Sequence, residues 1–179
     1  MIEHSWVSVS APYTRPRSAD QGDAWAEEAA RHGQSGTHLL QEVVEGVAPD
    51  EVAELLQLSR GSRVIVRRRT VLLNDQPIEI ADSYYPLTIA QGTRLAEHRK
   101  IRGGAVTLLA ELGHEPRLAQ EDVSARPATD EERRALELDE NEWVLVLVRT
   151  LKTGDGTPVE ITTIRMIAQG RHLRYETTL

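Results

Sequence analysis

The chain has 179 residues, of which 40% are hydrophobic and 4% aromatic, and it carries a formal net charge of −7. This length suits one domain of ordinary size, and its core must be aliphatic because the sequence contains no Phe. The lack of Cys excludes disulfides and thiolate metal sites, no run reaches the roughly 18 apolar residues of a membrane span, and the acidic balance argues against a dedicated nucleic-acid-binding domain.

Residues 1–38 predict an N-terminal arm or linker with one short helix. The segment is polar and broken by Pro and Gly, except for the helical pattern DAWAEEAARHG, which Gly33 would end. The alternation in WVSVS is typical of a strand that pairs with another part of the sheet. We place residues 39–179 in a single domain.

The first half of that domain predicts a helix followed by a hairpin. PDEVAELLQL has the pattern of a short helix, and residues 62–86 read as two strands joined by a turn at Asn74 and Asp75. GGAVTLLAELG then predicts a helix that ends at Gly113.

The second half predicts the same order again. RLAQEDVSAR is a predicted strand, and TDEERRALEL is a predicted helix with a capping box from Thr129 to Glu132. EWVLVLVRTLK and PVEITTIRM flank the turn TGDGT as a second hairpin, and HLRYETTL suggests a last strand.

The two helix-hairpin units resemble each other residue by residue. Arg69-Thr70 recurs as Arg149-Thr150, and after one extra turn residue Glu79 recurs as Glu160. This pseudo-repeat predicts an α+β fold, with one antiparallel sheet whose halves are related by a pseudo-twofold and with helices over one face. The alternative is that any two helix-hairpin units with aliphatic strands look alike.

Strand alternation divides the run of three arginines between two faces. Arg67 and Arg69 share a face with Ile65, whereas Arg68 points the other way. The division argues against a nucleic-acid patch.

An arginine on an aliphatic face needs a partner, because an unpaired buried charge is costly. One interpretation is that Arg69–Glu79 and Arg149–Glu160 form structural cross-strand pairs. The other is that one of these arginines faces a cavity and binds an anionic ligand with its planar donor fork.

Other candidate sites are weaker. The six histidines have no metal spacing, and Ser83 lacks the glycine-flanked setting of a nucleophile elbow. Tyr84 lies near a strand end, where a tyrosine either packs on the core or offers a stacking platform. We expect no metal site and no cofactor.

Three segments together resemble the UTRA domain, the effector-binding half of HutC-type GntR transcriptional regulators. They are VAELLQLSRGSRVIVRRRTVLLNDQPIEIADSYYP, GGAVTLLAELG and ATDEERRALELDENEWVLVLVRTLKTGDGTPVEI, and the likeness covers residues 39–176. The resemblance implies a chorismate-lyase-like α+β fold, frequent dimerisation and a small-molecule pocket.

In sugar-phosphate-binding members of that family, strand arginines and glutamates line the pocket. By resemblance, the arginine position falls on Arg69 and a glutamate position on Glu160, whereas a second arginine falls on Val71 and a second glutamate on Ala81. Half of the pattern is therefore missing, which favours a less charged, more apolar effector. The complete set of candidate ligand-binding residues is Arg69, Glu160, Glu79, Arg67, Thr107, Tyr84 and Met166.

The resemblance implies an effector-binding and dimerisation domain of a cytoplasmic transcriptional regulator. Its partners would be a small-molecule effector and a second copy, with no membrane and no direct contact with DNA. Family members normally carry an N-terminal winged helix-turn-helix, so that domain either lies outside this sequence or is lacking.

Two other functions stay open. The first is an enzyme with a lyase- or cyclase-type pocket for a small carboxylate or polyketide-like metabolite, in which Arg69 holds a carboxylate and Glu160 acts as acid or base. The second is a protein that binds a full-length regulator.

Overall fold

The computed structural model describes residues 6–18 and 21–176. This part of the chain contains eight strands, β1 (Trp6–Ser8), β2 (Gly36–Val47), β3 (Arg63–Leu73), β4 (Gln76–Pro86), β5 (Leu118–Pro127), β6 (Trp143–Lys152), β7 (Pro158–Ile167) and β8 (Arg171–Leu173). Strands β2 to β7 form one antiparallel sheet, and β1 pairs in parallel with β8 in a separate ribbon. The predicted first strand therefore forms, but outside the main sheet.

The helices are short and lie between the strands. They are α1 (Ala11–Thr14), α2 (Ala24–Arg31), α3 (Asp50–Leu55), α4 (Leu87–Ala90), α5 (Gly104–Glu111) and α6 (Asp130–Leu136), with a 3-10 turn at Arg94–Ala96. None of the described helices is long and apolar enough to cross a membrane. The α+β class predicted from the sequence is confirmed.

The main sheet repeats itself about its centre. Its strand order is β2-β3-β4-β7-β6-β5, so β2-α3-β3-β4 in one half corresponds to β5-α6-β6-β7 in the other. The predicted pseudo-repeat is confirmed. Each unit is one strand longer than predicted, because β2 precedes the first helix-hairpin and β5 precedes the second. The predicted boundary at residue 38 falls inside β2.

The first hairpin turns where the sequence predicted. Asn74 and Asp75 both have positive φ, 49° and 66°, between the ends of β3 and β4. Two such residues form a type I′ turn, whose twist matches that of the flanking strands. This turn fixes which β3 residues share a face with which β4 residues.

Helices cover both faces of the sheet. The face that carries Ile65, Arg67 and Arg69 is called the arginine face below. Helix α3 packs against Val64 and Val66 on the opposite face, where Glu132 of α6 also lies near Arg165 of β7. On the arginine face, a cluster of buried side chains packs around Ile65. Helices α4 and α5 and the end of β4 contribute its members, which include Tyr85, Ile89, Ala90, Leu108 and Leu109. The expectation of helices on one face therefore holds for the two repeat helices only, since α4 and α5 cover the other side.

Helix α2 belongs with the sheet rather than with a loose arm. Trp25 is 4% exposed, and its indole Nε1 donates to the Leu72 carbonyl of β3 at 2.8 Å. Asp23 caps the helix by accepting from the backbone of Trp25 and Ala26. Residues 21–38 therefore contribute to the core of the domain.

Candidate functional site

A chain of polar side chains crosses the arginine face from β3 to β7. Arg69 Nη1 donates to Ser83 Oγ at 3.1 Å, and Ser83 Oγ lies 2.8 Å from Thr162 Oγ1. Thr162 Oγ1 in turn donates to Glu160 Oε1 at 2.7 Å. A hydroxyl has one proton, so Ser83 must donate to Thr162 and accept from Arg69. The hydrogen bonds therefore run in one direction, from the guanidinium to the carboxylate.

The strand register explains how these four residues meet. Ser83 of β4 lies directly opposite Thr162 of β7, in the central strand pair of the sheet. Arg69 lies opposite Ala81, whose small side chain leaves the guanidinium room to reach diagonally to Ser83.

Glu160 ends this polar chain with an oxygen that has no partner. The residue is 6% exposed, and its Oε2 atom is buried without a hydrogen bond to any described residue. A buried carboxylate oxygen in this state costs free energy. Glu160 therefore offers a strong, unfilled acceptor on the arginine face.

Arg69 offers the complementary donors at the other end. It is half-buried, and its hydrogen bond to Ser83 is the one side-chain bond it makes within residues 6–18 and 21–176. A guanidinium carries five N–H donors. Most of its donors are therefore free for a ligand.

Tyr85 adds a phenol to the same site. It is fully buried beside Ile65, on the face that carries Ser83. Burial raises the pKa of Tyr85 well above its usual value, and the negative charge of Glu160 raises it further. The phenol is therefore protonated at physiological pH and lies close enough to Glu160 to interact with its charge, but it forms no hydrogen bond of good geometry with Oε2.

Arg149, the equivalent of Arg69 in the second half, is already paired. Its Nε donates to Glu121 Oε1 at 2.6 Å, and the two side chains are 10% and 7% exposed. Burial opposes ionisation of Glu121, but the charge of Arg149 and its hydrogen bond lower the pKa of this carboxyl. The pair is an ionised salt bridge.

Neither cross-strand pair of the first interpretation, Arg69–Glu79 or Arg149–Glu160, forms among the described residues. The outer strands decide the difference, because β5 places Glu121 directly beside Arg149, whereas β2 places Leu40 beside Arg69. The sequence comparison matched the two hairpins but did not include these flanking strands.

Arg67 lies on the arginine face, with its guanidinium bound to backbone. Its Nη1 donates to the carbonyls of Leu95 and Glu97 at 2.8 and 2.9 Å, and its Nη2 donates to the Arg99 carbonyl at 2.7 Å. Burial lowers the pKa of Arg67. This residue fastens the segment 95–99 to the sheet.

The other predicted residues divide between the two faces. Met166 is 3% exposed and lies opposite Glu79 on the arginine face. Thr107, on α5, donates to the Gly103 carbonyl at 2.7 Å and accepts from the Arg17 backbone N–H at 3.0 Å. Tyr84 packs on the opposite face with α3. The structure thus brings Arg69 and Glu160 into one polar chain and places Tyr84 away from it.

The sequence prediction missed Ser83, Thr162 and Tyr85 as parts of this site. Alternation alone places Thr162 on the face of Glu160, and Tyr85 on the face of Ser83. The missing information was the pairing of β4 with β7, which joins the two halves of the repeat and has no turn signal.

A protein-family model described as the UTRA domain matches residues 30–169. The chain is also 38% identical over 112 residues to an uncharacterised HTH-type transcriptional regulator of Streptomyces coelicolor, SCO4628. That alignment covers 61% of this chain and 42% of the regulator.

Solved structures share the fold at lower identity. A GntR-family transcriptional regulator superposes with a TM-score of 0.76 at 24% identity, over 86% of this chain and 63% of that one. The effector domain of PhnF from Mycobacterium smegmatis gives a TM-score of 0.72 at 14% identity, over 92% and 99% of the two chains. The chain thus spans less than two thirds of both the Streptomyces regulator and the GntR-family structure.

Proposed function

The chain belongs to the UTRA domain family, and from this premise we propose that it is the small-molecule-binding domain of a GntR-type transcriptional regulator. The effector would bind on the arginine face, at the polar chain from Arg69 to Glu160. One observation carries this proposal: Glu160, at the end of the polar chain, keeps a buried oxygen without a hydrogen-bond partner among the residues that the structure describes. Such a group is costly unless a ligand satisfies it.

The site specifies the polar part of the effector. Glu160 Oε2 requires a hydrogen-bond donor, and the free N–H groups of Arg69 require an acceptor such as a carbonyl or carboxylate. Ser83 and Thr162 already use their protons within the polar chain. The effector therefore carries a donor and an acceptor whose separation matches that of Glu160 and Arg69.

The rest of the effector is apolar. Beyond the polar chain, the arginine face continues into a buried aliphatic cluster, which consists of Ala81, Leu147, Ile164 and Met166. Val71 and Ala81 stand at positions where sugar-phosphate-binding relatives would have charged side chains. We therefore favour a small, largely apolar molecule with one polar end over a phosphosugar.

Binding would act on transcription by population shift. An effector that binds one conformation of the domain more tightly than another changes the affinity of the whole regulator for DNA. We propose that the domain works as a homodimer in the cytoplasm and does not itself contact an operator.

Native mass spectrometry of the purified protein tests the proposal first, since it reports the oligomeric state and the mass of any compound that co-purifies. Calorimetry with that compound then compares Arg69→Ala and Glu160→Gln with the unmodified protein. Each change should weaken binding about tenfold or more, because each removes a charge-assisted hydrogen bond. Arg68→Ala is the matched control, since Arg68 is exposed and pairs with Glu42 on the opposite face.

A second readout separates binding from folding. Glu160→Gln removes a buried charge with an unfilled oxygen, so the urea midpoint of the ligand-free protein should stay the same or rise. Unchanged affinity in both Arg69→Ala and Glu160→Gln would show that the effector binds elsewhere.

Enzymatic turnover is a second candidate function. The same observation favours it, because a carboxylate oxygen free of hydrogen bonds can accept a proton from a substrate while Arg69 holds a carboxylate. Mass analysis after incubation with the co-purified compound distinguishes the two, since an effector is recovered unchanged, whereas a substrate is converted into a product.

A further inference from the structure

The polar chain is closed to solvent from Ser83 to Glu160, whereas Arg69 at its other end is half-buried. Ser83 is 0% exposed, Thr162 1% and Glu160 6%. A ligand therefore cannot reach the free oxygen of Glu160 unless part of the protein moves. The element that moves should be the cover with the fewest core contacts.

Two of the covers on the arginine face are anchored in the core. Helix α5 contributes Leu108 and Leu109, which are 3% and 0% exposed. The segment 95–99 is fastened by three hydrogen bonds from Arg67 and by Leu95, which is fully buried. Moving either of them would expose a large apolar area.

The third element on the arginine face is residues 9–17, called the strap below, which contacts the sheet at Arg149. It begins beside the Arg149–Glu121 salt bridge, where Ser10 Oγ donates to Glu121 Oε2 at 2.8 Å and accepts from Arg149 Nη2 at 3.2 Å. Arg149 lies directly opposite Thr162 in the β6–β7 pair. The strap is therefore anchored one strand away from the polar chain.

The strap then runs along the arginine face to α5. The Tyr13 hydroxyl donates to Glu28 of α2. The Tyr13 ring packs against the core cluster that contains Trp6, Trp25 and Val71. Burial and the hydrogen bond to Glu28 raise the pKa of Tyr13. At its far end, the Arg17 backbone N–H donates to Thr107 on α5.

Hydrogen bonds and the partly buried ring of Tyr13 hold this strap. Helix α1, which forms its middle, has no buried residue, and Ala11, Pro12, Arg15 and Pro16 are exposed. Opening the strap therefore breaks the hydrogen bonds of Ser10, Tyr13 and Arg17, including the Arg17–Glu27 ion pair, and exposes one partly buried aromatic ring rather than fully buried leucines.

We propose that the strap is the gate of the binding site, latched by Ser10 on the Arg149–Glu121 salt bridge. This inference rests on the proposed function, because it concerns access to the same site. Ligand entry requires Ser10 to leave the salt bridge and residues 9–17 to swing away, and ligand release requires the same movement. The gate also makes the position of the strap depend on whether the site is filled.

The absence of Cys from the sequence allows a test that needs no ligand. Ser83→Cys introduces a single thiol into the closed site, and its reaction with 5,5′-dithiobis(2-nitrobenzoate) under native conditions measures how often the site opens. Adding Ser10→Ala should raise the labelling rate about fivefold or more, because the latch loses its hydrogen bonds to a charged pair. Thr162→Cys serves as a second reporter in the same site.

Two controls isolate the gate. The first control is Thr14→Ala in the strap, which should leave the labelling rate unchanged. Within the described part of the chain, the Thr14 hydroxyl bonds only to the Ala11 carbonyl of the same helical turn. Ala90→Cys reports opening of the core, because Ala90 is 0% exposed in the cluster around Ile65. Its labelling should not respond to Ser10→Ala.

Equal labelling rates with and without Ser10→Ala would overturn the gate, and so would an equal acceleration of both the Ser83→Cys and the Ala90→Cys thiols. Either result leaves the effector proposal standing, since native mass spectrometry and calorimetry test that proposal separately. Conversely, if no small molecule binds but Ser10→Ala accelerates labelling, the effector proposal fails while the movement of the strap is still supported.

Discussion

Arg69 and Arg149 occupy equivalent positions in the two halves of the sheet, but their neighbours on the outer strands differ. Arg149 lies beside Glu121 of β5 and forms a buried salt bridge with it, whereas Arg69 lies beside Leu40 of β2 and donates to Ser83. Each half of the sheet thus carries one of these arginines, but among the residues that the structure describes a carboxylate pairs directly with Arg149 alone. The other retains donors for a ligand.

This difference predicts unequal costs for the same substitution. Arg149→Leu leaves Glu121 buried and unpaired, so we expect it to lower the free energy of unfolding by about 3 kcal/mol. Arg69→Leu removes one hydrogen bond from a half-buried residue and should cost about 1 kcal/mol or less. Urea denaturation measures both values.

The double variant Arg149→Leu/Glu121→Leu serves as the control for this comparison. Removing both charges should recover most of the lost stability, because no unpaired charge remains. Equal costs for the two single arginine substitutions would contradict the assigned difference between the halves.

The capping box of α6 predicts a pH dependence of stability. Hydrogen bonds from Arg126 lower the pKa of Glu132 from 4.5 to about 2, against the effect of burial, and the Thr129 backbone N–H adds to them. A carboxyl whose pKa is lower in the folded state stabilises the fold above its unfolded pKa. That contribution is lost as the pH falls from 4.5 towards 2.

Glu132→Gln should therefore lower the free energy of unfolding by about 2 kcal/mol at pH 7, and the difference from the unmodified protein should shrink as the pH falls below 4.5. Urea denaturation at a series of pH values measures this. Glu131→Gln is the matched control, because Glu131 is the exposed neighbour on the same helical turn. A constant difference at all pH values would count against the assigned ionisation.

The contact between α2 and β2 predicts different effects for two glycines of the same strand. A Cβ atom at Gly36 would lie 2.7 Å from Trp25 Nε1 and 2.8 Å from Ala29 Cβ, whereas a Cβ atom at Gly46 would meet nothing within 4 Å. Gly36→Ala should therefore destabilise the fold by about 2 kcal/mol through overpacking. Gly46→Ala should be neutral or slightly stabilising.

Thermal unfolding followed by tryptophan fluorescence checks this pair of glycine variants, because Trp25 lies at the contact itself. Equal melting temperatures for the two variants would mean that α2 does not pack on β2 in this way.

Local sequence signals determined most of the fold. The turn residues Asn74 and Asp75, the capping box at Thr129 and the alternation along β3 and β6 act between near neighbours, so they can be read without tertiary structure. The same alternation placed Arg67 and Arg69 on one face and Arg68 on the other. The recurrence of Arg69 as Arg149 identified the two related halves.

The tertiary structure alone decided which side chains meet. The pairing of β4 with β7 places Ser83 opposite Thr162, and the pairing of β5 with β6 places Glu121 opposite Arg149. The path of the N-terminal segment brings Ser10 into hydrogen-bond contact with both Glu121 and Arg149. These contacts join residues far apart in the chain. Their register depends on how the two halves pack against each other, and no local turn or periodicity encodes that.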